Sequence, residues 1–417
     1  MNDASPLTIY LTDYTPPAYL IDTVHLTFDL SPNATRVTSK ITFRPNPDSS
    51  DPEFFLHGVD LNLIWAKIDG VSVTPDLIAD GLTYSAPDAP FVWESCVEIA
   101  PASNTALEGL YMSNGMYCTQ CEAEGFRKIT YYPDRPDVMA VFTVQINCDL
   151  PVLLSNGNPL THGAWHDPWP KPAYLFALVA GDLIAHAGSF TTMSGTVVAL
   201  NIYVRPGDED KCAFGMQALK TSMSWDEDVY GREYDLDIFN IVAVDDFNMG
   251  AMENKGLNIF NSSCVLASPE TATDADFERV EAIIAHEYFH NWTGNRITCR
   301  DWFQLCLKEG LTVFRDQQFT GDLRGHAVKR IGDALVMRAH QFREDGGPLA
   351  HPVRPASFVE INNFYTATVY EKGAEVIGML KRFVGADAYV DACTLYFDRH
   401  DGQAATIEDW LATFEDT

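Results

Sequence analysis

No stretch of the sequence is long and apolar enough to be a membrane span. A helix needs roughly 18 or more apolar residues to cross a bilayer, and the 417-residue chain has no such run. The segment from Met1 to Tyr19 contains no Lys or Arg and no apolar run of signal-peptide length. We therefore expect neither a membrane span nor a cleaved secretion signal.

Positive charge is also scarce. The chain has 28 Lys and Arg residues against 58 Asp and Glu residues, which gives a formal net charge of −30. Nucleic acids and anionic membranes would be repelled by this excess. We interpret most of the charge as a solvated surface and expect neutral or cationic partners, with no nucleic acid and no membrane among them.

The cysteines do not form a recognisable framework. There are nine, an odd number scattered along the chain, and the one Cys-x-x-Cys pair, Cys118 and Cys121, has no second pair at zinc-site spacing. We interpret this pair as incidental. Reduced thiols suit a reducing compartment, so the sequence predicts a cytoplasmic protein.

The first part of the chain has the pattern of β-strands. Val24–Leu30 and Val37–Phe43 alternate apolar and polar residues, and the turn-forming segment Ser31–Thr35 separates them, which predicts a hairpin. Further strand-like runs are centred on Phe54, Ile64, Val92, Val141 and Val152. This pattern predicts an all-β domain over residues 1–184.

The pattern changes after residue 184. We predict a strand over 197–204, a helix over 208–229, a strand over 237–244 and a strand from 256 that continues to 266, followed by mostly helical structure. The chain is too long for one ordinary core. We therefore expect an α+β multidomain protein, with a mixed sheet and helices in residues 185–417.

A metal-binding pattern lies in the helical part. His286 and His290 are four residues apart with Glu287 beside the first, and Glu309 follows one helix later. Residues i and i+4 share one face of a helix, so both imidazoles can reach one ion. Thr273 and Asp276 resemble a capping box at the start of this helix, and Gly294 with Asn295 mark its expected end.

The donor types favour zinc chemistry. Two imidazoles and one carboxylate leave a fourth position open for water, as in catalytic sites, and zinc lowers the pKa of that water toward about 7. We expect one zinc ion per chain, with Glu287 as the base and not a ligand. The alternative is a helix with two hydrogen-bonded histidines; the third donor on a second helix favours the metal.

The wider sequence resembles the gluzincin zinc aminopeptidase family. The similarity extends through most of the chain and includes Gln120–Arg127, Asn248–Lys255, His286–Glu309 and Asn363–Gly373. It implies a saddle-like N-terminal all-β domain followed by a thermolysin-like catalytic domain. It also implies a zinc metallo-aminopeptidase that removes N-terminal residues from peptides by attack of a metal-activated water.

The resemblance implies roles for further residues. Glu253, in the segment of Gly250, Ala251, Met252, Glu253 and Asn254, and Glu122 are expected to bind the substrate's free α-ammonium through charge-assisted hydrogen bonds. Met249 is expected to line the pocket for the first side chain, and Tyr370 to donate to the oxyanion. Asn258 and its strand are expected to lie along the substrate backbone.

Members of this family are about twice as long, so the resemblance covers their N-terminal and catalytic domains only. It implies peptides with a free N-terminal amine as partners, and we expect a monomer. Two alternatives stay open: a fragment that binds zinc and peptide with little turnover, and another gluzincin hydrolase, either an endopeptidase or an epoxide hydrolase.

Overall fold

The structure is a computed structural model that describes residues 7–51 and 53–417. Two compact units are distinguished by packing. One is Pro16–Tyr288, and the other combines residues 7–15 with Phe289–Thr417. The boundary near residue 184 divides the chain by sequence pattern instead, and it stays a prediction.

The first unit contains an extensive β region. Tyr19–Asp29 and Thr35–Pro45 pair antiparallel, which confirms the predicted hairpin. The eight-stranded sheet that contains them has the strand order Asn158–Thr161, Ala164–Pro172, Met139–Asn147, Tyr19–Asp29, Thr35–Pro45, Phe91–Ile99, Asn62–Ile68, Val71–Val73. Strands are present at all five predicted positions.

Two smaller sheets complete this β region. The four-stranded sheet has the order Gly109–Ser113, Met116–Gln120, Leu178–Gly181, Val152–Ser155, and the three-stranded sheet has the order Phe54–His57, Gly81–Tyr84, Asp76–Ile78. Alternate residues of the long strands are buried, as a sheet with one covered face requires. Phe43, Phe54 and Phe91 pack ring to ring with centroids 5.1–5.4 Å apart in the core beneath them.

A mixed five-stranded sheet belongs to the same unit. Its order is Ile184–Thr191, Val197–Val204, Ile238–Val244, Leu257–Asn261, Ala251–Met252. The middle three strands are parallel, and each edge strand pairs antiparallel with its neighbour. The predicted strand 197–204 is confirmed, and the strand predicted at 237–244 begins one residue later.

Two boundaries differ from the prediction. Helix α1, Ala213–Tyr230, begins five residues after Asp208, because Glu209–Lys211 form a separate 3₁₀ turn. The strand expected to continue to Leu266 ends at Asn261, since the Asn261 side chain accepts a hydrogen bond from Ser263 N (3.1 Å) and starts another 3₁₀ turn.

The remaining elements are mostly helical. Helix α2, Asp274–Phe289, ends at the start of the second unit. The later helices are α3 Leu305–Arg324, α4 His326–Val336, α5 Phe342–Asp345, α6 Gly373–Val384, α7 Ala386–His400 and α8 Ile407–Glu415. Two π-helical turns, Met337–Gln341 and Thr368–Lys372, precede α5 and α6 respectively. Two pairs of short strands also form: Ile9–Tyr10 with Ser357–Phe358, and Thr298–Cys299 with Ala404–Ala405. Within the described ranges, no helix combines the length and the apolar character needed to cross a membrane.

Helices α3 and α6 approach each other through two glycines. A Cβ atom added at Gly373 would lie 3.2 Å from the Cα of Gly310 and 2.7 Å from the Sγ of Cys306. The two backbones therefore meet at a distance that only glycine permits. Because Gly310 follows Glu309 and Gly373 lies three residues after Tyr370, this contact places two predicted site residues on closely packed elements.

We predict that Gly373→Ala lowers the free energy of unfolding by about 1–3 kcal/mol, the usual cost of overpacking. Denaturant titration measures this change. Gly332→Ala is the matched control, because a Cβ there would meet no described atom within 4 Å and alanine favours the helix. Wild-type stability of Gly373→Ala would contradict the close contact.

Candidate metal and substrate site

Helix α2 carries the first part of the predicted metal motif in its last turn. Its start is the predicted capping box: Thr273 N donates to Asp276 Oδ2 (2.9 Å), and Asp276 N donates to Thr273 Oγ1 (3.3 Å). The prediction that the helix continues to Gly294 is wrong. It ends at Phe289, where the chain turns so that the Thr293 carbonyl faces His290.

The imidazole of His290 has a defined orientation. Its Nδ1 lies 2.8 Å from the carbonyl oxygen of Thr293, and a carbonyl can only accept, so Nδ1 carries the proton. The other ring nitrogen, Nε2, therefore has a lone pair available for a metal. This is the arrangement by which proteins orient histidine ligands.

Two side chains of the second unit, His290 and Glu309, offer metal donors, and His286 precedes His290 by four residues in the same segment. Glu309 Oε2 lies 3.4 Å from His290 Nε2, and both residues are buried. Lys308, on the same helix, donates to the other oxygen, Oε1. The salt bridge thus orients the carboxylate so that Oε2 faces His290.

The donor chemistry fits zinc. A His, His, Glu set is one that zinc uses in catalytic sites, where a fourth position stays open. Two thiols border the donor residues but are held protonated: burial and the nearby Glu309 raise the pKa of Cys306 to about 12, and burial with Glu287 raises the pKa of Cys264. Thiolates are the metal-binding form of cysteine, so these raised pKa values favour the nitrogen and oxygen donors over the two thiols.

A buried polar network supports the turn that orients His290. Thr312 Oγ1 lies 2.7 Å from Thr293 Oγ1 and 3.2 Å from His290 Nδ1. Arg315 donates to the Phe289 carbonyl (2.8 Å) and to Thr293 Oγ1 (3.1 Å), and its side chain is completely buried. Sequence reasoning missed these residues, because only their spacing after Glu309 on one helix could have indicated them.

Three carboxylates cluster within the first unit. A carboxylate oxygen of Glu253 lies within 4.8 Å of one from Glu122 and within 4.8 Å of one from Glu287. All three residues are at most 7% exposed. Buried like charges at this separation repel each other unless a cation lies among them. The arrangement therefore suits a cationic group of a ligand.

Gln120 connects the segments that carry Glu122 and Glu253. It ends the strand Met116–Gln120, and its Nε2 donates to the backbone carbonyl of Glu122 (3.2 Å) and lies 3.7 Å from Met252 Sδ. The peptide bond after Glu122 is cis. On the other side, Asn156 Nδ2 donates to the carbonyl of Lys255 (2.9 Å).

The segment predicted to bind substrate forms the edge of the five-stranded sheet. Ala251 and Met252 pair with Phe260 and Ile259, and Gly250 O accepts from Asn261 N (2.9 Å). The remaining members lie next to this pairing: Met249 precedes it, and Glu253 and the fully buried Asn254 follow it.

The strand of Asn258 lies inside the sheet, between Ile238–Val244 and Ala251–Met252. The expectation that this strand offers an edge is therefore wrong. Ala251–Met252 is the edge strand instead. The sequence does not reveal the strand order, and only that order shows which of these two strands lies at the edge.

Tyr370 lies on the π-helical turn Thr368–Lys372, which leads directly into α6. The residue is half-buried, and this turn packs against α3, the helix of Glu309. Its ring centroid is 6.4 Å from that of Tyr365. π-Helical turns are frequent at functional sites, so the local geometry agrees with the role that the resemblance implies.

The fold is therefore α+β multidomain, with an N-terminal all-β domain followed by a thermolysin-like catalytic domain of mixed sheet and helices. A model described as the peptidase family M1 domain matches residues 214–417, and one described as the peptidase M1 N-terminal domain matches residues 96–173. The chain belongs to peptidase family M1.

Full-length relatives agree with this assignment. The chain is 57% identical to aminopeptidase N of Caulobacter vibrioides and 53% identical to aminopeptidase N of Escherichia coli, in each case over 99% of this chain. The matches cover 50% and 49% of those proteins, so the chain spans about half the length of the curated relatives it matches.

A solved structure is similar across the same range. The crystal structure of Legionella pneumophila aminopeptidase A in complex with aspartic acid matches with a TM-score of 0.91 and 35% identity. The match covers 99% of this chain and 49% of that one.

We predict that Thr312→Val weakens zinc binding about 10- to 100-fold, the usual effect of removing a group that orients a ligand. Valine keeps the shape but loses the hydroxyl that contacts Thr293 and His290. Competition with a chromogenic chelator measures the affinity. Thr312→Ser, which keeps the hydroxyl, is expected to bind zinc like the wild type, and equal affinity in all three proteins would show that the network does not orient His290.

Proposed function

We propose that this chain is a zinc aminopeptidase that removes the N-terminal residue of peptides. The observation that carries the proposal is the buried pair of Glu122 and Glu253, whose carboxylates lie within 4.8 Å of each other. A carboxylate oxygen of Glu253 also lies within 4.8 Å of one from Glu287. A site for an ammonium group beside a general base is what an exopeptidase of this kind requires.

His286, His290 and Glu309 would hold the metal. When bound, zinc would polarise the scissile carbonyl and supply an acidic water. The residues contribute orientation: the Nδ1–H of His290 donates to the Thr293 carbonyl, and Lys308 donates to one oxygen of Glu309. Family membership and the donor set support zinc in particular, at one ion per chain.

Glu287 is assigned the role of general base. It follows His286 in the last turn of α2 and is 7% exposed, so its carboxylate is largely shielded from bulk water. In this position it would take a proton from the attacking water and transfer it to the leaving nitrogen. Because a carboxylate oxygen of Glu287 lies within 4.8 Å of one from Glu253, the proton transfer would take place close to the bound amine.

Glu122 and Glu253 would bind the α-ammonium through charge-assisted hydrogen bonds, each worth about 1.5–3 kcal/mol. The backbone edge at Gly250, Ala251 and Met252 would pair with the substrate backbone, and Asn254 continues that segment. Met249, just before the edge, would contact the first side chain. The similar Legionella aminopeptidase was crystallised in complex with aspartic acid, a molecule with a free α-amine.

Tyr370 would donate a hydrogen bond to the oxyanion. Loss of one such donor typically costs about 2.7–4 kcal/mol in kcat. We further propose that the chain acts as a monomer on peptides in the cytoplasm. The nine free cysteines, eight of them buried, support a reducing compartment.

The amine site distinguishes one of the two alternatives, and the rate of turnover distinguishes the other. An endopeptidase or an epoxide hydrolase could use the same metal donors but has no need for paired carboxylates that bind an ammonium. A fragment with little turnover would keep the binding steps and lose the chemistry. Because the chain spans only about half the length of its relatives, the low-turnover alternative needs a direct measurement of kcat.

We predict that this chain hydrolyses L-alanine p-nitroanilide at least 100-fold faster, in kcat/KM, than the N-acetylated compound. Acetylation removes the charge that Glu122 and Glu253 bind, and two lost charge-assisted bonds account for a factor of this size. Release of p-nitroaniline measures both rates. Equal rates would exclude the exopeptidase.

We predict that Glu287→Gln keeps one zinc ion per chain and lowers kcat about 10²- to 10⁴-fold, because the amide cannot accept the proton. Metal analysis and the same anilide assay give the two quantities. Glu415→Gln, an exposed position at the end of α8, controls for the change in charge. Turnover at the wild-type rate would remove Glu287 from the base role.

A further inference from the structure

Glu344 caps the helical segment that carries Tyr370. This residue lies on α5, and one of its carboxylate oxygens accepts from the backbone N–H of Thr368 (2.8 Å) and from the Thr368 hydroxyl (2.8 Å). The other oxygen accepts from the backbone N–H of Ala367 (3.2 Å). One carboxylate thus receives three hydrogen bonds from two consecutive residues.

The N–H groups of Ala367 and Thr368 lie at the start of a helical segment, where the helix itself offers no hydrogen-bond acceptor. The first N–H groups of a helix have no acceptor within it, and a negative charge near them interacts favourably with the helix dipole. Here the segment starts as the π turn Thr368–Lys372 and continues as α6, Gly373–Val384. Glu344 is therefore a capping residue contributed by a different helix, 24 positions earlier in the chain.

Neighbouring contacts restrict the same turn. Gln341, the last residue of the other π turn, donates to Thr368 Oγ1 (3.4 Å), and Lys372 donates to Asp345 (2.7 Å). Directly after the turn, Gly373 lies against Gly310 of α3. The turn is held at both ends, with Tyr370 between them.

We propose that Glu344 is a positioning residue that fixes the π turn so that the Tyr370 hydroxyl is ready to donate in the transition state. The inference rests on the proposed function, because it assigns Glu344 a purpose in that reaction. Glu344 acts through Tyr370. Its removal should therefore affect the chemical step and leave substrate binding and metal binding unchanged.

The kinetic test is a double-mutant cycle. Glu344→Ala is expected to lower kcat for L-alanine p-nitroanilide about tenfold, with KM within twofold of wild type and zinc content unchanged. In a Tyr370→Phe background the same change should lower kcat less than twofold, because the hydroxyl it positions is gone. Glu344→Gln, which keeps one carbonyl acceptor, should fall between wild type and Glu344→Ala.

Glu415→Ala is the matched control, since it removes an exposed glutamate from the end of α8. It should retain wild-type kinetics. Three results would overturn the proposal: an equal loss from Glu344→Ala in both backgrounds, an effect on KM alone, or loss of zinc from Glu344→Ala.

Hydrogen exchange tests the cap without turnover. In Glu344→Ala the amides of Ala367 and Thr368 should exchange at least tenfold faster than in wild type, while those in the last turn of α6 keep their rates. Unchanged exchange at both amides would overturn the proposal. A wild-type chain without hydrolysis would refute the proposed function instead, and the exchange result would still decide whether Glu344 holds the turn.

Discussion

Burying carboxylates close together is the constraint on which this site depends. Each buried charge loses the solvation of water, and like charges a few ångströms apart repel strongly in a medium of low dielectric constant. Glu122, Glu253 and Glu287 meet this condition in one unit of the chain. A cation among these carboxylates relieves their repulsion, and under the proposed function that cation is the substrate's α-ammonium.

Within each unit, hydrogen bonds orient the predicted site residues before any ligand binds. Lys308 offsets part of the charge of Glu309, and the Thr293 carbonyl keeps the His290 proton on Nδ1. Gln120 bonds the backbone of Glu122 and contacts Met252, the neighbour of Glu253. Orientation fixed before binding reduces the entropy that must be lost when the ligand arrives.

The sequence predicted the parts of this arrangement that are local. His286, Glu287 and His290 are neighbours on one helix, and the capping box of Thr273 and Asp276 uses side chains three residues apart, so period and spacing suffice. The β-hairpin at the start of the chain was predictable for the same reason. Glu122, Glu253 and Tyr370 came from the resemblance alone, because composition would have left them among many similar residues.

What the sequence could not show depends on contacts between distant positions. Thr312 reaches His290 across 22 residues, Glu344 reaches Thr368 across 24, and Gly310 meets Gly373 across 63. The strand order that makes Ala251–Met252 an edge, and Asn258 internal, likewise follows from pairing and not from pattern. The end of α2 at Phe289 is set by the turn that satisfies His290, which helix-stop signals do not encode.

The central claim is that the carboxylate pair recognises a free amine, and equilibrium binding tests it most directly. Calorimetric titration of the zinc-loaded Glu287→Gln chain, which is expected not to hydrolyse the ligand, should give binding of L-leucine amide and at least 100-fold weaker binding of N-acetyl-L-leucine amide. Adding Glu253→Gln to that chain should weaken binding of L-leucine amide by a comparable factor. Equal affinity for the free and acetylated amides, unchanged by that substitution, would contradict the account.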